Sequence, residues 1–341
     1  VSWMRDDVVC AQVTLPKGDF HILAPDGSVA VSQKAGSDEI LFEAREVPAL
    51  GYAVYQIMPG AADAAALPVK ATSRTLENQY VKVTLDNCGR FKRVFDKQAN
   101  REVIAAGQCG NVLQLFEDRP ASNDAWDIDY NFEKTLYEPG KAESIEVIEN
   151  GPVRAVIRVV RSTEKSVFTQ DITLYASSPR IEVNTHVDWH EKRRLLKVAF
   201  PVDILSARAT YHIQFAAVER STHKNTAYDH ARFEVPAHHW ADLSEADYGV
   251  SLLNDCKYGY DVRDNVLRLS LLRSPIDPDP HADEGEHHFT YALLPHQGNW
   301  RTGSVHEGYE LNAPLLATTV KVTAGDQPAA APGRTRLSRR P

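Results

Sequence analysis

Apolar and polar residues alternate with a period of two along much of the chain. In Tyr80-Val81-Lys82-Val83-Thr84-Leu85 the apolar side chains share one face of an extended run, and Asp86-Asn87-Cys88-Gly89 then supplies turn residues. The pattern recurs in Ser144-Ile145-Glu146-Val147-Ile148. After the turn Glu149-Asn150-Gly151-Pro152 it returns in Val153-Arg154-Ala155-Val156-Ile157-Arg158-Val159. Similar runs predict strands at 168–175, 181–189, 195–202, 210–218, 248–253, 265–272, 288–294 and 316–322. Apolar residues at helical spacing are scarce. Many short strands joined by turns predict an all-β chain of sandwich type rather than a parallel α/β sheet.

The punctuation between these runs predicts the domain organisation. Residues 1–60 form a strand-rich block with a turn at Pro25-Asp26-Gly27-Ser28 and the apolar segment Ile40-Leu41-Phe42. Small residues from Pro59 to Pro68 have linker composition, so 61–71 reads as a connection and 72–322 as the large domain. The Ala-, Pro- and Arg-rich residues 323–341 read as a disordered tail.

Charge narrows the partners. The formal net charge is -8 and the pI near 5.9, without the basic excess that a phosphate-backbone surface requires, so nucleic acid is not an expected partner. No apolar run reaches the roughly 20 residues of a membrane span, so no membrane is expected either. Val1 to Asp7 shows no signal-peptide pattern, and the chain does not begin with Met; it reads as a fragment or a processed product. Cys10, Cys88, Cys109 and Cys256 are widely spaced and N-x-[ST] is absent, which together point to the cytoplasm.

Three segments carry candidate chemistry. Glu117 to Tyr130 sets several carboxylates beside Trp126 and Tyr130. An aromatic ring that packs on a pyranose face, with carboxylates accepting from its hydroxyls, is how a sugar site is built. Paired carboxylates also serve glycosidases, and the alternative is a solvated acidic loop anchored by one buried Trp. Asn254, Asp255, Lys257 and Tyr258 form a second cluster at a strand end, where binding loops concentrate; a polar turn is the competing reading. His281-Ala282-Asp283-Glu284-Gly285-Glu286-His287-His288 has metal-ligand residue types. It follows the Pro-rich loop Ser274–Pro280 and nothing in it fixes a tetrahedral geometry, so no metal or other cofactor is assigned to the chain. The Val187–Leu196 run reads as a charged turn between strands, and His238-His239-Trp240 as a structural Trp. The G-x-S-x-G, P-loop, G-x-G-x-x-G and H-E-x-x-H motifs are all absent.

Several longer runs resemble the C-terminal region of the family 38 glycoside hydrolases, the alpha-mannosidases, most closely of the bacterial and cytosolic type. They include Leu113-Gln114-Leu115-Phe116-Glu117-Asp118-Arg119-Pro120, Asp124-Ala125-Trp126-Asp127-Ile128-Asp129 and Leu195-Leu196-Lys197-Val198-Ala199-Phe200-Pro201. They continue with Leu252-Leu253-Asn254-Asp255-Cys256-Lys257-Tyr258-Gly259-Tyr260 and Tyr291-Ala292-Leu293-Leu294-Pro295-His296, so the likeness extends from Leu76 to about Leu316. The resemblance implies a galactose-mutarotase-like β-supersandwich preceded by a small β-sandwich. It implies a retaining, zinc-dependent exo-mannosidase whose zinc and nucleophile belong to an N-terminal catalytic domain that, with a helical segment, would be this chain's partner. The chain alone would be inactive, with an alpha-mannoside or oligosaccharide as ligand. Trp126, Asp127, Asp129, Tyr130, Asn254, Asp255, Lys257 and Tyr258 would then recognise sugar rather than cleave it. Two other readings stand beside this one: a mutarotase-like epimerase using His186, His212, His296 or Glu219 as acid and base, and a non-catalytic carbohydrate-binding module.

Overall fold

A computed structural model of the chain describes residues 1–320. The expected all-β class is what it shows: among these residues the strands form five antiparallel sheets, and the helices are short. Two compact units can be separated.

The first unit contains Val1–Leu67 and the described residues from Ala313 onward. Strands Arg5–Gln12, Glu39–Val47 and Ser32–Lys34 make one sheet; Val29–Ala30, Phe20–Leu23 and Gln56–Pro59 make another. Their inward residues Val9, Ile22, Ile40, Phe42 and Val47 share one core. Leu315 packs against it, and Arg5 donates to the Ala313 carbonyl at 2.8 Å. Sequence reading placed these C-terminal residues in the large domain, with a strand at 316–322. In the structure 313–320 has no strand, because Leu315 is drawn into the first unit's core while Leu316 is left in solvent. Positions 321–322 and the tail 323–341 lie outside the described residues.

The second unit, Pro68–Asn312, begins earlier than the linker composition suggests. Lys70–Thr72 pairs with Thr75–Glu77, and the Ala71 N–H donates to Asn150 Oδ1 at 2.8 Å. A small, buried Ala71 is a packing requirement there, not linker chemistry.

A nine-stranded sheet and a six-stranded sheet face each other over the main core, with a five-stranded sheet adding Leu76, Val83 and Val94. The central strand Ile181–Trp189 shows why period-two reading works. Val183, Val187 and Trp189 point to the core, while Asn184, His186 and Asp188 point away. Arg194–Pro201 is instead buried on both faces. Leu196, Val198 and Phe200 join the main core, and Leu195 packs outward against Phe116 and Phe132. The 210–218 run divides into strands Arg208–Ile213 and Ala216–Ser221, because Phe215 takes a left-handed turn conformation at φ 57°. No glycine or proline marks that turn. Gly89 does mark its own: its φ is +73°, and a Cβ there would lie 2.3 Å from Val159 Cγ1.

Candidate functional site

The strand Val112–Glu117 ends by pairing Glu117 with Arg194, and Leu195 pairs with Arg273 on the next strand. Tyr260, near the start of strand Gly259–Arg263, pairs with Leu269, and Pro236 pairs with Gly259. The loops after 117 and before 259 therefore open at the same end of the six-stranded sheet. Both candidate sugar loops emerge there.

The first loop is held by an arginine from another strand. Arg273 donates from Nε to the buried Asp118 carboxylate and from its Nη groups to the carbonyls of Asp124, Ala125 and Asp127. Asp118 also accepts from the Asp129 N–H at 2.8 Å, and Asp124 accepts from Ile276 N–H at 2.7 Å. Two of the loop's carboxylates are thus consumed as anchors. Asn123, at φ 55°, turns the chain so that the Trp126 and Asp127 N–H groups both donate to its carbonyl. Trp126 is then 72% exposed, and Asp127 is exposed beside it. The alternative of an acidic loop anchored by a buried Trp is corrected here: the anchor is Arg273. Asp129 accepts from the Asn131 N–H at 2.9 Å, and the exposed Tyr130 ring stands edge-on to Phe233 at 5.8 Å.

The second loop divides the same way into support and display. Asn254 is 1% exposed; it donates to the His238 carbonyl at 2.8 Å and to the Tyr260 hydroxyl, and accepts from the Lys257 N–H. An amide so occupied shapes the loop and offers nothing to a ligand. Asp255 accepts from the Thr290 N–H at 3.0 Å, tying the loop to the neighbouring strand. Lys257 lies over the Phe289 ring at 4.5 Å, and Tyr258, 61% exposed, stands edge-on to His238 at 5.5 Å. The Ala237 N–H donates to the Tyr258 carbonyl at 3.0 Å. Segment 233–238 therefore touches Tyr130 at one end and Tyr258 at the other.

Beneath this end of the sheet lies a charge network that the sequence reading missed. Lys197, fully buried, donates to Glu234 and, at 2.6 Å, to Asp261 Oδ2. Arg268 donates to Asp261 Oδ1 at 2.7 Å and to Glu133, which also pairs with Arg263 at 2.9 Å. Burial acts to lower the Lys197 pKa, but Asp261 and Glu234 outweigh it and hold it above the ordinary lysine value. Burial likewise acts to raise Glu133, and Arg268 and Arg263 overcome it and lower its pKa. One signal was available: a lysine in the middle of Leu195-Leu196-Lys197-Val198-Ala199-Phe200 must be buried and paired if its neighbours face two cores.

The His281–His288 run does not act as a unit. His281 Nδ1 lies 2.7 Å from Glu284, which also meets Lys192, while His287 Nε2 bonds the Asp283 carbonyl at 2.7 Å. Among the described residues one group brings three residues of metal-ligand type together: His186, Glu286 and His288, with the two imidazoles stacked at 4.3 Å. It has no aspartate and sits on the outer face of the nine-stranded sheet. The resemblance places the zinc in an N-terminal catalytic domain, and this exposed cluster lies on neither sugar loop. Trp240, from His238-His239-Trp240, is buried and stacks on Trp300 and His212 at 5.3 and 5.6 Å.

The chain is similar to known proteins over most of its length. The family described as "Glycosyl hydrolases family 38 C-terminal domain" matches residues 76–281, a span that includes both loops. The mouse protein named "Alpha-mannosidase 2C1" is 45% identical over 257 residues, covering 74% of this chain and 25% of the mouse protein. "Alpha-mannosidase G" of Dictyostelium discoideum is 44% identical over 246 residues, covering 70% and 22%. The chain thus spans about a quarter of the length of these curated relatives. A solved alpha-mannosidase from Enterococcus faecalis V583 superposes with a TM-score of 0.71 at 15% identity, covering 95% of this chain and 45% of that one, which is a likeness of fold.

Proposed function

The chain belongs to family 38 of the glycosyl hydrolases through that family's C-terminal domain, and from this premise we propose that it serves as the C-terminal portion of an alpha-mannosidase, where it completes the sugar pocket. The observation that carries the reading is the display of Trp126 and Tyr258 at one end of the six-stranded sheet, within the matched span. Large rings held in solvent on anchored loops can pack on a pyranose face, which suits their shape and polarity. In this reading Trp126 packs on the sugar while Asp127 accepts from its hydroxyls. Tyr130, Lys257 and Tyr258 line the rim, and Asp129, Asn254 and Asp255 hold the loops in place.

Hydrolysis of terminal alpha-mannosides with retention, and the zinc that serves it, belong in this proposal to a catalytic portion corresponding to the rest of the relatives' length. This portion and its adjoining helical domain would be the surfaces on which the chain packs. We also place the enzyme in the cytoplasm, which the wide spacing of its four cysteines supports.

Calorimetric titration with methyl alpha-mannoside tests the sugar role. Saturable binding that Trp126→Ala abolishes supports it; identical curves for the two proteins remove the loop from recognition. An aryl alpha-mannoside assay with added zinc tests the division of labour. No turnover is expected from the chain alone, and robust turnover overturns the proposal.

The epimerase reading has less support. It needs a histidine and a carboxylate facing across an open cleft. His212 lies against Trp240, Glu219 pairs with Arg208, and His186 stacks on His288. His296 does meet Asp242 at 2.7 Å, but both are buried and bonded into the Ser251–Ser304 contact. A non-catalytic carbohydrate-binding module would share the binding result above and is set apart by mannosidase activity of the longer enzyme.

A further inference from the structure

Away from both loops, the hairpin Arg208–Ser221, the residues after it and strand Gly259–Arg263 enclose a cavity of about 230 Å³. None of the eight candidate sugar-binding residues lines it. Its wall is rich in cations, in a chain whose formal net charge is -8: Arg208, Arg220, Lys224, Arg232 and Arg263 all contribute.

Each carboxylate on the wall is already engaged. Glu219 pairs with Arg208 at 3.6 Å, and Asp261 is bound by Lys197 and Arg268. Asp229 closes the capping box of the short helix Ala227–Ala231, accepting from the Thr226 N–H and Oγ1 at 3.0 and 2.7 Å. Arg263 finds its partner in Glu133. Arg220, Lys224 and Arg232 are thus left without a carboxylate partner among the described residues.

The hydrogen-bond inventory points the same way. Arg220 Nη1, His223 Nδ1 and Arg263 Nε are buried and have no hydrogen-bond partner. All three residues line the cavity. Buried polar nitrogens are ordinarily satisfied; the two guanidinium nitrogens here can only donate, and His223 Nδ1 joins them in the tautomer that carries its proton there, so the void suits an acceptor. Arg220 lies over the Tyr211 ring at 4.7 Å, which fixes the guanidinium at the cavity wall. Burial lowers its pKa, Tyr211 acts in the opposite direction, and the Arg232 charge adds to the lowering, so the two cations act against each other across the wall.

We propose that this cavity is an oxyanion site that takes a phosphate group, either free or carried on a sugar. Three donor groups and three unneutralised cations match a dianion with three terminal acceptor oxygens better than a single carboxylate, and arginine forks suit phosphate geometry. The volume holds several water molecules' worth of space, so there is room beside the anion for its carrier. Phe233 forms part of the wall and also meets Tyr130, which puts one side chain between this site and the first sugar loop.

Isothermal titration of the purified chain at low ionic strength, with inorganic phosphate in one arm and a hexose 6-phosphate in the other, tests the assignment. Saturable 1:1 binding is expected in at least one arm. It should weaken at least tenfold in Arg220→Met and several-fold in Arg232→Gln, and stay unchanged in Arg93→Gln, whose side chain pairs with Glu102 outside the cavity. The tighter arm identifies whether the phosphate comes free or on a sugar. Arg232 is exposed, so its variant keeps the test valid if Arg220→Met fails to fold. Absence of saturable binding in both arms, or equal affinity in wild type and both cavity variants, overturns the proposal.

Discussion

Replacing Lys197 by Met keeps most of the side chain's volume and removes the charge on which two carboxylates depend. In the native protein the ammonium is fully buried between Glu234 and Asp261. Without it Asp261 retains Arg268 at 2.7 Å, whereas Glu234 is left with the Ser270 hydroxyl. Removing one partner of a buried ion pair costs about 3–5 kcal/mol, and the retained Arg268 contact places this case near about 3 kcal/mol. For a unit the size of Pro68–Asn312, 1 kcal/mol corresponds to about 2–4 °C, so the melting temperature should fall by roughly 6–12 °C. Differential scanning calorimetry at pH 7 measures it. The double variant Lys197→Met/Glu234→Gln should recover part of the loss, since it leaves no unpaired carboxylate beside the new methionine. A single variant within 1 °C of wild type, or a double variant no better than the single, would refute the reasoning.

Two further outcomes follow from local geometry. Gly89→Ala forces a Cβ to 2.3 Å from Val159 Cγ1 at a φ of +73°, and overpacking plus backbone strain should destabilise by about 2–4 kcal/mol in urea unfolding; a change under about 0.5 kcal/mol contradicts the turn geometry. Burial, then the neighbouring His239 and His238, push His212 down to about 4 from an ordinary 6.5. The unfolded chain therefore binds the extra proton first, so stability should fall as pH drops from about 6.5 to about 4. His212→Phe should flatten the melting profile across that window, and an unchanged slope would assign the pH dependence to other groups.

The parts of this fold that were legible in the sequence are those where one face of a strand meets the core and the other meets solvent. Ile181–Trp189 and Arg154–Ser162 alternate because their sheet has an outer face, and turn chemistry at Asp86–Gly89 closes a hairpin that only glycine permits. Where that asymmetry fails the alternation weakens, and a doubly buried strand is legible only as an apolar run, as Arg194–Pro201 is. Val112–Glu117 is buried on both faces, and the Phe215 turn contains no residue that announces it. Helix Ser304–Asn312 buries Ser304 and Gly308, not an apolar stripe; a Cβ on Gly308 would lie 2.7 Å from Trp240, so this contact demands the absence of a side chain.

The candidate site divides along the same line. Composition could pick out a loop rich in carboxylates and rings, but it could not say which of them face inward. That depends on Arg273, some 150 positions along the chain, whose donors claim Asp118 and three loop carbonyls at once. Once those groups are occupied, the residues still free to meet a ligand are the ones the anchor pushes outward, Trp126 and Asp127. Asn254 makes the same division in the second loop by using its amide on His238, Tyr260 and Lys257, which leaves Tyr258 displayed. A binding surface presented this way depends on side chains that never touch the ligand. Arg273→Met should therefore abolish mannoside binding as fully as Trp126→Ala does, although it removes no group proposed to contact sugar. Calorimetric titration of the two variants side by side checks this, and retained binding in Arg273→Met would mean that the loop holds its shape without its anchor.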